Sequence, residues 1–142
     1  MANSLKKYTD LIDKSYLRIY DLVKKTDLNT AFTLSKKYNN NIYLKREDTQ
    51  DVHSFKIRGA YNKMLNITDK DKPIYTCSAG NHAQGVALAG KHLNFTTNIV
   101  MPLQTPKIKV DNVRNYGGNV ILYGDNFDEA KKKCNELSNQ NN

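Results

Sequence analysis

Along the first forty positions, apolar and polar residues alternate with helical periods. Tyr16, Ile19, Tyr20 and Val23 fall at i, i+3, i+4 and i+7, which predicts a helix over 15–25 with Ser15 as its N-cap. A shorter helical segment is expected over 30–38, a loop over 39–41 and a short strand over 42–45, followed by the charged run 45–48. In 54–67, Ile57, Tyr61, Met64 and Leu65 return to helical spacing. A compact strand over 73–78 leads into an alanine-rich helix over 80–93. Thr97–Met101 reads as a strand that stops at Pro102.

The last third repeats the pattern. A helix over 105–116 is expected, with Thr105 as its cap, Pro106 at its first position and Gly117 closing it. An apolar strand over 120–123 precedes a helix over 127–137 that has Phe127, Ala130, Cys134 and Leu137 on one face. Its acids Asp128 and Glu129 come early and Lys131, Lys132 and Lys133 later, as the helix dipole prefers. The lysine run therefore reads as a solvated helix face. Continuous apolar strands separated by helices predict an α/β fold, an open parallel sheet with flanking helices on both faces.

Composition narrows the picture. With 142 residues the chain has the length of one domain and can bury a core. No run of about 18 apolar residues exists, so no membrane partner is expected. Cys77 and Cys134 are far apart in the chain, which excludes a disulfide scaffold and fits a reducing compartment. Residues 1–13 hold no apolar stretch of signal-peptide length, so a cytoplasmic location is expected. The net charge of +8 is nearly all lysine and accompanies frequent asparagine and tyrosine, a combination that AT-rich codons favour. No aromatic-flanked basic stripe points to nucleic acid.

Two stretches hold candidate chemistry. TCSAGNHAQG, 76–85, runs from a strand through small residues and a glycine into a helix. Ligands of open α/β sheets sit beyond the carboxyl ends of strands, and a helix N-terminus offers free N–H groups. Residues 78–82 thus read as a carboxylate or phosphate site, although an ordinary capped turn has the same pattern. HSFKIRGA, 53–60, places Lys56 near a helix start between Phe55 and Ile57 and close to Arg58. Apolar neighbours and a second cation both favour a neutral amine, the form Schiff-base chemistry needs, while a solvated surface lysine is the plain alternative. His53, His82 and His92 have no carboxylate or thiolate partners at ligand spacing, so no metal is expected. Cys77, inside an apolar strand, reads as a core residue.

Taken together, LKREDTQDVHSFKIRGAYNKM (44–64), SAGNHAQGVA (78–87) and MPLQTPKIKVDNVRNYGGNVILYGDNFDEA (101–130) resemble the signature blocks of pyridoxal-phosphate-dependent threonine dehydratases, in order and at the right spacing. The resemblance covers about residues 16–137. It implies the tryptophan-synthase-β-like fold (type II of the pyridoxal-phosphate enzymes) and pyridoxal 5'-phosphate as cofactor. It also implies conversion of L-threonine to 2-oxobutanoate and ammonia at the start of isoleucine synthesis. Lys56 matches the lysine that binds the cofactor covalently, and Phe55 the residue against the cofactor ring. Asn81 matches the asparagine that hydrogen-bonds the ring's 3′ oxygen. Ser78, Ala79, Gly80, Asn81 and His82 match the loop that holds the substrate carboxylate.

The chain departs from the family pattern at Thr26-Asp27-Leu28, where members carry Thr-Pro-Leu. The matched blocks end before the family's glycine-rich phosphate loop, its residue at the pyridine nitrogen and its regulatory domain. The expected organisation is therefore a truncated fold: residues 1–137 as the N-terminal part of the catalytic domain and 138–142 as a polar, disordered tail. Such a chain is expected to bind the cofactor weakly by itself. A serine dehydratase or serine racemase of the same fold, acting on L-serine, stays open as an alternative. So does a non-catalytic remnant needing a separate partner chain. A homo-oligomer is implied for the full-length enzyme.

Overall fold

The computed structural model describes residues 2–141. Six helices and five strands follow one another: α1 (Ala2–Arg18), β1 (Leu28–Thr30), α2 (Phe32–Tyr38), β2 (Tyr43–Lys45), a 3-10 turn (Glu47–Thr49), α3 (Lys56–Met64), β3 (Ile74–Cys77), α4 (Asn81–Leu93), β4 (Thr97–Met101), α5 (Lys107–Asn115), β5 (Asn119–Leu122) and α6 (Phe127–Gln140).

The main sheet is parallel, in the order β3-β4-β5. The central strand β4 is apolar on both faces, and Ile99, Val100 and Met101 are fully buried. This is the strand type that parallel sheets require, because helices cover both sides. On one face, Ile99 and Met101 pack against Ala83 and Ala87 of α4 and Val110 and Val113 of α5. On the other, Val100 packs against Ala130 and Cys134 of α6. A third cluster joins α3 to α4 through Ile57, Ala60, Tyr61, Met64, Val86 and Ala89, and draws in Ile19 and Val23 from the N-terminal segment.

Helix ends follow local chemistry. Asn126 caps α6 by accepting from the Glu129 N–H at 3.0 Å, while its own amide donates to Glu129 Oε1 at 2.8 Å. Gly117, at φ +94°, takes the left-handed turn that closes α5, and the Gly118 N–H reaches back to the Val113 carbonyl at 3.0 Å.

Several expectations need correction. The first helix spans Ala2–Arg18 instead of 15–25, and Ser15 lies inside it, donating to the Leu11 carbonyl at 2.7 Å instead of capping. Ile19 and Val23 still face the core, because one further turn continues the spacing with a Val23 N–H to Ile19 carbonyl bond of 2.9 Å. β1 was not anticipated; it pairs antiparallel with β2, apart from the parallel sheet. Pro106, not Thr105, is the residue flanking α5, and no side chain caps that helix. Helix α6 continues through Gln140, so the polar segment that begins at Ser138 is helical over its first three residues.

Candidate active site

The parallel sheet delivers the first half of the site. The β3 ladder extends to Ser78, whose N–H bonds the Val100 carbonyl at 3.2 Å. The chain then leaves the sheet through Ala79 and Gly80, and α4 begins at Asn81. Ser78 Oγ accepts from the Gly80 N–H at 3.3 Å, and the Gly80 carbonyl accepts from Ala83 at 3.1 Å. Asn81 and His82 are exposed in the first turn of α4. The space where a Gly80 side chain would project is open to 4 Å. Small residues, an open flank at Gly80 and the N-terminal turn of a 13-residue helix make a turn that suits an anion.

Helix α3 delivers the second half. Lys56 is its first residue, and its N–H donates to Ser54 Oγ at 3.1 Å. The chain approaches this start through His53, a non-glycine residue in the left-handed region at φ +53°. The Lys56 side chain is exposed, with Nζ 5.0 Å from the centre of the Phe55 ring. Phe55 is itself 59% exposed. Among the described residues no carboxylate forms an ion pair with Lys56.

His82 meets Lys56 because α3 and α4 pack closely. Gly85 of α4 lies against the Lys56–Ile57 peptide; a Cβ there would be 3.2 Å from the Lys56 carbonyl carbon and from the Ile57 nitrogen. That approach opens a cavity of about 310 Å³ between the helices, lined by Phe55, Lys56, Arg58, Gly59, Ala60 and His82. Partial desolvation of the ring at the cavity, and then the charge of Lys56, push the His82 imidazole below its ordinary pKa. The structure thus brings Phe55, Lys56 and His82 to one cavity. Ser78, Ala79, Gly80 and Asn81 lead directly into His82 but do not line that cavity's wall.

Arg58 behaves differently from the expectation that it stands as a second free cation beside Lys56. Its Nε and Nη2 bond Glu47 Oε2 and Oε1 at 2.9 and 2.7 Å, and Nη2 also reaches the Lys24 carbonyl at 3.0 Å. Arg58 holds the Glu47 carboxyl down at about 2, with Thr26 and Gln50 assisting. Thr26 Oγ1 donates to Glu47 at 2.6 Å, and buried Gln50 bridges Glu47 and the Lys24 carbonyl. The variant segment at Thr26-Asp27 is therefore tied to this network, and the Asp27 carbonyl accepts from the Arg46 N–H at 2.9 Å.

The three histidines are dispersed. His53 Nδ1 lies 3.1 Å from the Asp48 carbonyl, His92 pairs with Asp21 at 3.3 Å, and His82 faces the cavity. Cys77 is half-buried beneath α6, and burial raises its thiol above the usual range. Sequence reasoning missed Gly85 and Glu47. The charged run 45–48 and the second glycine of the SAGNHAQG block were the available signals.

A parallel α/β sheet whose 78–81 loop leads into His82, with Lys56 on the same cavity as His82, is an arrangement that suits a ligand-binding enzyme of the α/β class. The chain belongs to the family of pyridoxal-phosphate-dependent enzymes, whose model matches residues 19–142. It is 52% identical over 130 residues to "Threonine dehydratase 2 biosynthetic, chloroplastic" of Solanum lycopersicum, covering 90% of this chain and 22% of that protein. It is 51% identical over 124 residues to a biosynthetic L-threonine dehydratase of Escherichia coli K12, covering 86% of this chain and 24% of that one. The chain thus spans about a quarter of the length of these curated relatives.

Among solved structures, the processed form of threonine deaminase isoform 2 from Solanum lycopersicum superimposes with a TM-score of 0.91 at 49% identity, over 99% of this chain and 41% of that one. Maize serine racemase follows at 0.86 and 30% identity, over 93% and 41%. The fold is the tryptophan-synthase-β-like, type II arrangement, present here as part of a domain, and the family's cofactor is pyridoxal phosphate. No helix among the described residues is long and apolar enough to cross a membrane.

Proposed function

We propose that this chain is the front part of a pyridoxal-phosphate-dependent threonine dehydratase, converting L-threonine to 2-oxobutanoate and ammonia in isoleucine synthesis. The observation that supports it most is the meeting of Lys56, at the head of α3, with His82, in the first turn of α4, on one cavity. The residues present suit the cofactor. Lys56 offers an amine without an ion-pair partner among the described residues, Phe55 offers a ring beside it, and the open flank at Gly80 leaves the backbone N–H groups of α4 approachable.

Pyridoxal phosphate, when bound, supplies an electron sink that makes the Cα proton of an amino acid removable. In this reading Lys56 Nζ would hold the cofactor and, once the substrate amine has taken its place, the freed amine would take the Cα proton of the substrate. Asn81 would be the residue that holds the ring's 3′ oxygen. Residues 78–82 orient the substrate carboxylate with backbone N–H groups and the Ser78 hydroxyl, fixing which Cα bond faces Lys56. The β-hydroxyl leaves as water, and hydrolysis then releases ammonia, so the sum is L-threonine to 2-oxobutanoate plus ammonia.

L-Serine is the second substrate reading, favoured by the likeness to maize serine racemase. The 49% and 52% identities to proteins named for threonine weigh toward threonine. The full-length enzyme is read as a homo-oligomer. The test is borohydride reduction of the chain in millimolar pyridoxal phosphate, followed by peptide mapping of its 18 lysines. The reading expects the phosphopyridoxyl group at Lys56. An even spread over surface lysines would contradict it.

A further inference from the structure

We propose that Glu47 is a positioning residue for Lys56: it grips Arg58 in a two-pronged ion pair, fixing the first turn of α3 and keeping a second cation out of the cavity that Lys56 faces. The geometry carries this. Arg58 follows Lys56 within the first turn of α3 and lines the same cavity as Lys56 and His82. Its guanidinium is nonetheless committed to Glu47, through bonds of 2.9 and 2.7 Å, and to the Lys24 carbonyl at 3.0 Å.

Both side chains of the pair are shielded, at 24% and 15% exposure, unlike the other arginine–carboxylate pairs of the described residues. Thr26 Oγ1 and Gln50 Nε2 supply further hydrogen bonds to the same carboxylate, at 2.6 and 3.3 Å. Such a fork matches carboxylate geometry in direction as well as charge, so it holds orientation more firmly than a lysine would. The α3 N-terminus is thereby tied to the 24–26 segment and to the 3-10 turn.

Without the Glu47 carboxylate, the guanidinium loses its partner beside a cavity it already borders. Turning into that cavity would give it solvent and set a positive charge next to Lys56 and His82. A second cation there would compete for any anionic group that Lys56 and the 78–82 loop are meant to receive. The cavity's charge thus depends on a residue that does not touch it.

The experiment compares Glu47→Gln, Glu47→Asp and Arg58→Lys in the full chain, each checked for folding by circular dichroism. The first readout is the NMR titration midpoint of His82, assigned with His82→Asn. Glu47→Gln should lower it by about 0.5–1 pH unit, because a like charge disfavours imidazolium. Glu47→Asp should stay near wild type. Arg58→Lys, which keeps the charge but loses the fork, should shift it in the same direction by less. It decides the matter if Glu47→Gln does not fold.

The second readout is the share of borohydride-trapped cofactor found on Lys56, expected to fall at least about fivefold in Glu47→Gln and to recover in Glu47→Asp. An unchanged His82 midpoint in folded Glu47→Gln, or in Arg58→Lys where that variant must stand in, overturns the proposal. The second readout alone rests on Lys56 being the cofactor-bearing amine. If wild type shows no preference for Lys56, the proposed function fails, and the His82 midpoint still decides the role of Glu47.

Discussion

Replacing Gly85 by alanine tests the packing that builds the site. In a helix interior the change should gain about 1 kcal/mol of propensity. At Gly85 the new Cβ would stand 3.2 Å from two backbone atoms of the Lys56–Ile57 peptide and 3.3 Å from the Lys56 oxygen. Backbone cannot rotate away as a side-chain tip can, and α3 is held by buried Ile57, Ala60 and Tyr61 and by the Arg58–Glu47 pair. Overpacking of this kind costs roughly 1–3 kcal/mol. The net expectation is a loss of about 1 kcal/mol, or about 2–5 °C in Tm for a chain of this size.

Gly59 is the control. It lies inside α3 with nothing within 4 Å of its Cβ position, so Gly59→Ala should instead gain up to about 1 kcal/mol. Urea unfolding followed by circular dichroism separates the two variants if the slopes match. Gly85→Ala as stable as Gly59→Ala would refute the close α3–α4 approach.

Other outcomes follow from the same structure. Glu47 titrates at about 2 when folded against an ordinary value of 4.5, so its stabilisation is complete above pH 4.5 and is lost as pH falls toward 2. Glu47→Gln should flatten that limb of the stability–pH curve, and an unaltered limb would contradict the pairing. Tyr61 is fully buried and its hydroxyl donates to Asp21, so Tyr61→Phe should cost about 1–2 kcal/mol in urea unfolding, against no change if that bond is immaterial. Burial raises both thiols above their usual range, so Cys77 and Cys134 should react with a disulfide reagent far more slowly in buffer than in urea; equal rates would contradict their packing between α6 and the sheet.

Much of the fold was legible because its strands are short apolar runs bounded by strong punctuation. Thr97–Met101 matched residue for residue, since Pro102 stops a strand that ends on the apolar run Ile99, Val100 and Met101. The N-terminal helix was misplaced because Ile19 and Val23 keep helical spacing beyond its end, where burial continues although regular helix does not. β1 was illegible for another reason: Leu28–Thr30 is exposed at all three positions and is a strand only because Tyr43–Lys45 lies beside it.

The candidate site was read from its chemistry and not from its supports. Lys56 and the 78–82 loop stand in recognisable blocks, whereas Gly85 and Glu47 act through partners that only the folded chain brings near. Arg58 shows the difference most plainly. As sequence it is a cation next to Lys56; in the fold its charge is spent on Glu47.

The central claim is that Lys56 and the 78–82 loop serve one amino-acid substrate around one cofactor. Competition measures this directly: the chain is held in pyridoxal phosphate, reduced with borohydride in the presence of L-threonine, D-threonine or L-valine, and the label on Lys56 is counted. The account predicts that L-threonine removes most of the Lys56 label, that D-threonine and L-valine remove little beyond what reaction with free cofactor explains, and that Ser78→Ala or Asn81→Ala blunts the difference. Equal labelling of Lys56 with all three amino acids would contradict it.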